Sequence, residues 1–179
     1  LSGEKKEIWR EPISGTHSPI NKEPLIKSLG DVDKKVVAAK AGVLIQSGRL
    51  DYARAIVECF GSEKFIFASV GTPFWNALSA YFGFRGMITN LFRKPRLTEY
   101  VLEKITARTV EEIRAYAKAG VDGIWMEECL SSADIIPLAQ FERFALPYVK
   151  ELISEIRRLR MKSIYYPCGD VRDRLEPMI

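Results

Sequence analysis

Three short apolar runs alternate with two long amphipathic stretches between residues 64 and 168, and this alternation limits the folds that the chain can adopt. We predict that the runs are strands, because they are short, apolar and rich in β-branched and aromatic residues. They are KFIFASVG (64–71), VDGIWMEE (121–128) and KSIYYPC (162–168). Strands joined by long helices form a parallel sheet, because the helix carries the chain back to the edge where the strand began.

The stretches between the strands have the spacing of amphipathic helices. Residues 97–120 and 140–160 each place a stripe of apolar side chains on one face, and we expect Pro147 to bend the second helix. Residues 36–60 are also predicted to be helical. Each strand is therefore followed or preceded by a helix that can cover the sheet.

The predicted fold class is α/β, with a TIM (β/α)8 barrel of which only part is present. The sequence contains neither GxGxxG nor a phosphate-binding loop, which disfavours a dinucleotide-binding fold. A full barrel needs roughly 250 residues, whereas this chain has 179 and begins at Leu1 rather than Met. We therefore expect a central piece of a barrel, with an irregular lead-in over residues 1–35 and the partial barrel over residues 36–179.

Composition argues against a nucleic-acid-binding, a membrane-spanning and a disulfide-rich protein. The chain is 47% hydrophobic with a net charge of +4, and its basic groups at 93–96 and 157–162 accompany helices without a nucleic-acid motif. The sequence contains no apolar run long enough to span a membrane. Its three cysteines are too few for a disulfide framework and favour a cytoplasmic location.

The predicted strands end in residues that can carry chemistry, and barrel enzymes build their sites from the carboxyl ends of the strands. Residues two apart share a face, so Tyr166 points with Cys168 and Glu127 points with Cys129. A carboxylate and a thiolate at adjacent strand ends can hold zinc, or act as acid and base. A purely structural role stays open for Cys168 as a turn residue and for Cys129 as a loop residue, and for Glu127 and Glu128 as solvated loop charges.

Four stretches of the sequence carry a resemblance to a known family. AGVDGIWMEECLSSADII, followed by FERFALPYVKELISEIR and KSIYYPCGD, resembles the uroporphyrinogen decarboxylase superfamily, and KFIFASVGTPFWNALSAYFG matches its earlier strand and Gly-x-Pro-Phe turn. The resemblance covers roughly residues 30–170 and implies a TIM barrel. It also implies one of two chemistries. The decarboxylases act on a tetrapyrrole without a cofactor, and the methyltransferases move methyl groups between a corrinoid and a thiol.

The resemblance assigns candidate roles to particular residues. In the methyltransferases a zinc ion is held by a His-x-Cys motif and a later cysteine, and a zinc-bound thiol is deprotonated at neutral pH. Cys168 matches the cysteine of that motif and is the candidate metal ligand, whereas Tyr166 stands in place of the histidine. Glu127 or Glu128 would complete the site, and both are candidate catalytic residues together with Tyr166. The candidate cofactor-binding residues come from the turn after the first strand and are Gly71, Pro73 and Phe74.

The residues and the resemblance leave three functions open. The favoured one is methyl transfer between a corrinoid or a methylated small molecule and a thiol, with zinc and a corrinoid protein as partner. The second is cofactor-free decarboxylation of a tetrapyrrole. The third is non-catalytic binding of a corrinoid or tetrapyrrole. We expect the parent protein to be an enzyme, and this piece of it to be inactive by itself.

A partial barrel should associate with itself. Its outer strands leave backbone groups unpaired, and its apolar faces lack the cover that the missing strands and helices would give. Light scattering at micromolar protein concentration tests this prediction, and a monodisperse monomer would contradict it.

Overall fold

The computed structural model describes residues 24–179 in full and, before them, the backbone of two short strands. These strands are β1 (Ile8–Arg10) and β2 (His17–Pro19), which pair antiparallel with Ile8 opposite Pro19. The remaining residues before Pro24 lie outside the described part, so most of the predicted lead-in is not described.

Three parallel strands form the central sheet, as the alternation predicts. They are β3 (Phe67–Gly71), β4 (Gly123–Glu128) and β5 (Lys162–Pro167), in the order β3-β4-β5. The pairing places Gly71 beside Glu127, and Glu127 beside Tyr166. The carboxyl ends of all three strands therefore meet at one edge, which is where the sequence places the candidate site.

Helices connect and cover the strands. In chain order they are α1 (Leu29–Lys35), α2 (Ala41–Gln46), α3 (Asp51–Phe60), α4 (Pro73–Asn76), a π-helical segment (Ala77–Phe82), α5 (Gly83–Arg93), α6 (Pro95–Ala119), α7 (Leu138–Phe144), α8 (Leu146–Arg158), a 3-10 turn (Arg172–Arg174) and α9 (Leu175–Met178). The long α6 and α8 are the crossovers of two β-α-β units.

Two of the predicted helices are interrupted, each for a local reason. The helical stretch predicted at 36–60 divides into α2 and α3 around Gly48, whose φ of 76° is a conformation that glycine adopts at little cost. The helix predicted at 140–160 breaks at Ala145 rather than at Pro147 itself. A proline has no N–H and its ring clashes with the carbonyl four residues earlier, so the break falls before it.

In the part of the chain that the structure describes, the helices pack on one face of the sheet. Apolar side chains on that face include Val70 and Met126, and they form a buried cluster with Ile113 of α6 and Leu152 of α8. The opposite face carries the alternate residues, with Tyr166 46% exposed. One covered face and one open face is the arrangement of a barrel wall, because a doubly wound sheet carries helices on both faces.

A second apolar cluster lies beyond the carboxyl ends of the strands and supports the loops there. Its fully buried members include Phe74 of α4, Leu102 of α6, and Phe141 and Phe144 of α7. The loops that follow the strands therefore rest on packed helices.

Within the described residues the sheet has two free edges, because β3 and β5 each pair with β4 alone. Self-association through such edges stays a prediction. No helix in this part of the chain is both long enough and apolar enough to cross a lipid bilayer.

Candidate functional site at the carboxyl edge of the sheet

Two cysteine sulfurs touch at the point where β4 and β5 end. Glu128 and Pro167 are the last paired residues of the two strands, so Cys129 and Cys168 come next on each. The Cys168 N–H donates to the Glu128 carbonyl oxygen at 3.0 Å, which carries the pairing one step beyond the strands. The two Sγ atoms are 2.9 Å apart, and both side chains are half-buried.

A carboxylate lies on the other side of the thiol pair. The Cys129 thiol lies 3.3 Å from Glu127 Oε1 and can donate to it. Burial, and then the neighbouring Cys168 and Glu127, raise the pKa of Cys129 well above its usual value, because burial disfavours the charged thiolate and the two neighbours disfavour negative charge beside them. The order along the edge is therefore Glu127, Cys129, Cys168, with Cys129 held as a thiol between the other two.

Tyr166 lies on the open face of the sheet, beside Glu127 on the neighbouring strand. Its ring packs against Trp125 with the ring centroids 5.2 Å apart. Aromatic pairs at this separation stabilise each other and form a flat wall. Tyr166 and Glu127 therefore face the space that the interior of a closed barrel would occupy.

Glu128 points the opposite way from Glu127, into the helix layer, and is almost fully buried. It accepts hydrogen bonds from the Thr72 hydroxyl at 2.6 Å and from the Leu130 N–H at 3.1 Å. Burial raises the pKa of Glu128 to about 7, although these hydrogen bonds oppose the shift. The structure thus separates the two candidate glutamates, with Glu127 beside the cysteines and Glu128 linking the ends of β3 and β4.

The turn after β3 holds the three predicted cofactor-binding residues. Gly71 lies under the Asn76 amide, which donates to the Gly71 carbonyl at 2.9 Å, and a Cβ on Gly71 would meet that amide at the same distance. Pro73 begins α4 behind the Thr72 cap. Phe74 is fully buried in the helical cluster. Of the three, Gly71 is the one on the open face.

A π-helical segment follows this turn, and such segments are frequent at functional sites. It carries Tyr81, whose hydroxyl accepts a hydrogen bond from Arg108 of α6 at 2.7 Å. Arg108 Nε is buried without a hydrogen-bond partner among the described residues. Sequence reasoning missed this contact, because the two residues are 27 positions apart and belong to different helices.

The loops that follow β4 and β5 are bonded to each other. The Ala133 N–H donates to the Asp170 carbonyl at 2.8 Å, and the Asp170 N–H donates to the Asp134 carboxylate at 2.6 Å. Gly169, in the loop after β5, has a φ of +80° and lies against the loop after β4. A Cβ on Gly169 would meet the Ser132 hydroxyl at 2.5 Å. Only glycine fits this position without strain, so the Gly that follows Cys168 allows the two loops to approach.

A buried arginine holds the loop after β4 through hydrogen bonds to its backbone carbonyls. Arg174 is 1% exposed, and its guanidinium donates from Nε to the Ser131 carbonyl at 2.7 Å and also to the Ile136 carbonyl. The same group stacks over the Phe141 ring at 5.2 Å. Sequence analysis missed Arg174 entirely, because its partners are backbone carbonyls of a distant loop.

The donor atoms at this edge have the chemistry that zinc prefers, but their number is too small. Thiolate sulfur and carboxylate oxygen are both zinc ligands. In the part of the chain that the structure describes, no three His, Cys, Asp or Glu side chains are grouped so that they could hold a metal ion. Cys168 and its neighbours therefore do not form a complete zinc site by themselves.

Several concavities of similar volume lie elsewhere on the described part of the chain. One of about 470 Å³ is lined by Pro24 and Ile26, by Arg85 of α5, and by Phe82 and Lys94 on either side of that helix. None of the strand-end residues lines it. We place the candidate site at the strand ends because the thiols and carboxylates converge there.

Fold and site together define an α/β protein with a one-sided parallel sheet and a pair of thiols at its carboxyl edge. The chain belongs to the uroporphyrinogen decarboxylase family, whose family model, "Uroporphyrinogen decarboxylase (URO-D)", matches residues 12–179. The resemblance inferred from the sequence is thereby confirmed.

Curated relatives carry both of the names that the sequence suggests. The chain is 29% identical over 159 residues to the uroporphyrinogen decarboxylase of Anaeromyxobacter sp. (strain Fw109-5), which covers 86% of this chain and 44% of that protein. It is 23% identical over 158 residues to the methylcobamide:CoM methyltransferase MtbA of Methanosarcina acetivorans, with the same two coverages. A third relative, the uroporphyrinogen decarboxylase of Desulfotalea psychrophila, is 33% identical over 76 residues, or 42% of this chain and 22% of the relative.

A solved structure shares the fold. A methyltransferase from Methanosarcina mazei superposes with a TM-score of 0.78 at 20% identity, covering 97% of this chain and 49% of that protein. The TIM-barrel type of α/β fold expected from the sequence is supported by this neighbour. The chain spans about half the length of the longer proteins that it matches.

Proposed function

We propose that this chain is part of a methyltransferase-like member of the family, which moves a methyl group between a corrinoid or a methylated small molecule and a thiol. The observation that carries the proposal is the Cys168–Gly169 strand end, where the Cys168 sulfur lies at the open edge of the sheet beside Cys129 and near Glu127. The relative named as a methylcobamide:CoM methyltransferase supports the same reaction class.

In this proposal Cys168 supplies one ligand to a zinc ion. Glu127 is better placed than Glu128 to supply another, because Glu128 is buried in the helix layer and bonded to Thr72. At least one further ligand would come from outside the described residues. When bound, zinc would lower the pKa of a substrate thiol so that it reacts as the thiolate.

The residues of the chain have separate tasks in this scheme. Tyr166, packed on Trp125, forms one wall of the substrate space on the open face. Glu127 accepts a hydrogen bond from the Cys129 thiol and holds that thiol beside Cys168. Glu128 joins Thr72 of one strand end to Leu130 of the next and keeps the edge in register.

Decarboxylation of a tetrapyrrole is the second candidate function. The relatives named uroporphyrinogen decarboxylase favour it, since their identities exceed those of the methyltransferases. A substrate with several carboxylates needs cationic partners. Two arginines near the strand ends are already engaged, Arg172 with Asp170 and Arg174 with loop carbonyls. Non-catalytic binding of a corrinoid or tetrapyrrole is the third candidate.

The assay that separates these functions uses the full-length protein. We expect demethylation of methylcobalamin in the presence of a small thiol, followed by absorbance, and a rate lower by about 100-fold in Cys168→Ser, as for loss of a metal ligand or its support. Cys59→Ser is the matched control, because Cys59 is exposed on α3. Tetrapyrrole decarboxylation without methyl transfer would overturn the proposal, and tight binding without either reaction would favour the binding domain.

A further inference from the structure

We propose that Cys129 and Cys168 are a thiol modification site, at which the two residues form a reversible disulfide across the ends of β4 and β5. The disulfide itself does not depend on the proposed function. Its consequence for metal binding does rest on that function, because the bridge would consume the sulfur assigned to zinc.

The strand pairing places the two backbones near the separation that a disulfide requires. Cys129 and Cys168 directly follow the paired residues Glu128 and Pro167 of neighbouring parallel strands. Neighbouring strands lie roughly 4.8 Å apart, and disulfides join Cα atoms that are roughly 4.4–6.8 Å apart. The hydrogen bond from the Cys168 N–H to the Glu128 carbonyl, at 3.0 Å, holds this separation past the end of the strands.

The sulfur atoms also face each other. Their distance of 2.9 Å lies between that of a hydrogen-bonded thiol pair and the roughly 2.05 Å of a disulfide bond. The loops on either side are tied by the Ala133–Asp170 hydrogen bond and by the close approach at Gly169. A bridge would therefore form without unfolding either strand end.

The reaction is an exchange with a low-molecular-weight disulfide, which serves as the oxidant. The Cys168 thiolate attacks one sulfur of that disulfide, forming a mixed disulfide and releasing the first small thiol as its thiolate. The small thiolate released in this first step takes the proton of Cys129, whose sulfur then attacks Cys168 Sγ, 2.9 Å away. The second small thiol leaves, so two cysteine thiols are oxidised to one disulfide while one external disulfide is reduced to two thiols.

The bridge would change the site as well as the loops. Cys168 could no longer serve as a thiolate ligand, and β4 and β5 would be joined covalently at the edge where substrate is expected. Thiols restore the free cysteines by the reverse exchange, so the state of the pair follows the ratio of small thiols to disulfides.

The test is peptide mapping of the full-length protein after metal removal, incubation with glutathione disulfide, and alkylation of the remaining thiols. We expect tryptic peptides 119–143 and 163–172, which contain Cys129 and Cys168, to be recovered as one cross-linked species, with Cys59 outside the cross-link. In Cys129→Ser we expect a stable glutathione adduct on Cys168 and no cross-link. Added dithiothreitol should return the wild type to two free peptides.

Two results would overturn the inference. One is wild-type protein with glutathione on either cysteine and no cross-linked peptide. The other is full alkylation of Cys129 and Cys168 at glutathione disulfide concentrations that modify Cys59, which is exposed. The inference and the proposed function fail separately, because Cys129→Ser abolishes the bridge but keeps the zinc ligand Cys168. A protein that binds no zinc can still form the bridge.

Discussion

Replacing Arg174 with methionine should lower the free energy of unfolding by about 3 kcal/mol, since the carbonyls of buried residues would be left without donors. Methionine has a similar length but cannot donate to the Ser131 and Ile136 carbonyls, and both residues are buried. The loop that carries Cys129 should loosen as well, because these two carbonyls lie in it. Urea unfolding measures the first effect, and amide hydrogen exchange over residues 129–136 measures the second.

The matched control is Arg172→Met, two residues earlier. The Arg172 side chain is 88% exposed and pairs with Asp170 at the surface, where such pairs contribute little. We expect its unfolding curve to follow the wild type. If Arg174→Met unfolds at the same urea concentration as Arg172→Met, the buried arginine does not hold the loop.

Stability should fall as the pH rises from about 4.5 to about 7, and Glu128 is the cause. Its pKa is about 7 in the folded protein against a usual 4.5, so the folded state binds more protons over this window. The stabilisation is complete below pH 4.5 and is lost as the pH passes 7. The shift corresponds to about 3 kcal/mol. The neighbouring Tyr165 interacts with Glu128, because burial first and then the Glu128 charge raise the pKa of Tyr165.

Glu128→Gln should remove this part of the pH dependence. A neutral amide imitates the protonated acid, so the variant should be at least as stable as the wild type at pH 8. Glu127→Gln makes the same change one residue away, on the open face. This variant should keep the wild-type dependence of the free energy of unfolding on pH. Chemical denaturation at several pH values between 4.5 and 8 gives the comparison. If the free energy of unfolding depends on pH equally in the wild type and in Glu128→Gln, Glu128 is not the cause of the pH dependence.

The sheet could be predicted because its signals are local. Each strand is a short apolar run bounded by a helix, and the runs at 64–71, 121–128 and 162–168 contain the three observed parallel strands. The direction of Glu128 also had a local signal, since it shares the alternation of Ile124 and Met126, which face the helices. That alternation by itself assigns Glu128 and Glu127 to opposite faces of the sheet.

Contacts between elements could not be predicted in the same way. The approach of Cys129 to Cys168 depends on the register of two strands 39 residues apart, and a shift by one residue would separate them. Arg174 bonds to carbonyls 38 and 43 residues away, and a backbone carbonyl has no sequence signature. The break at Ala145 shows the same limit, since a proline predicts a bend but not its position.

The most direct test of the central claim is the zinc content of the full-length protein, by elemental analysis of the wild type and of Cys168→Ser. We predict close to one zinc per wild-type chain and almost none in Cys168→Ser, with Cys59→Ser retaining the wild-type content. Absence of zinc from the wild type and the variant alike would contradict a metal-binding role for Cys168. The thiol at this strand end would then be a turn residue, and tetrapyrrole decarboxylation would become the leading function.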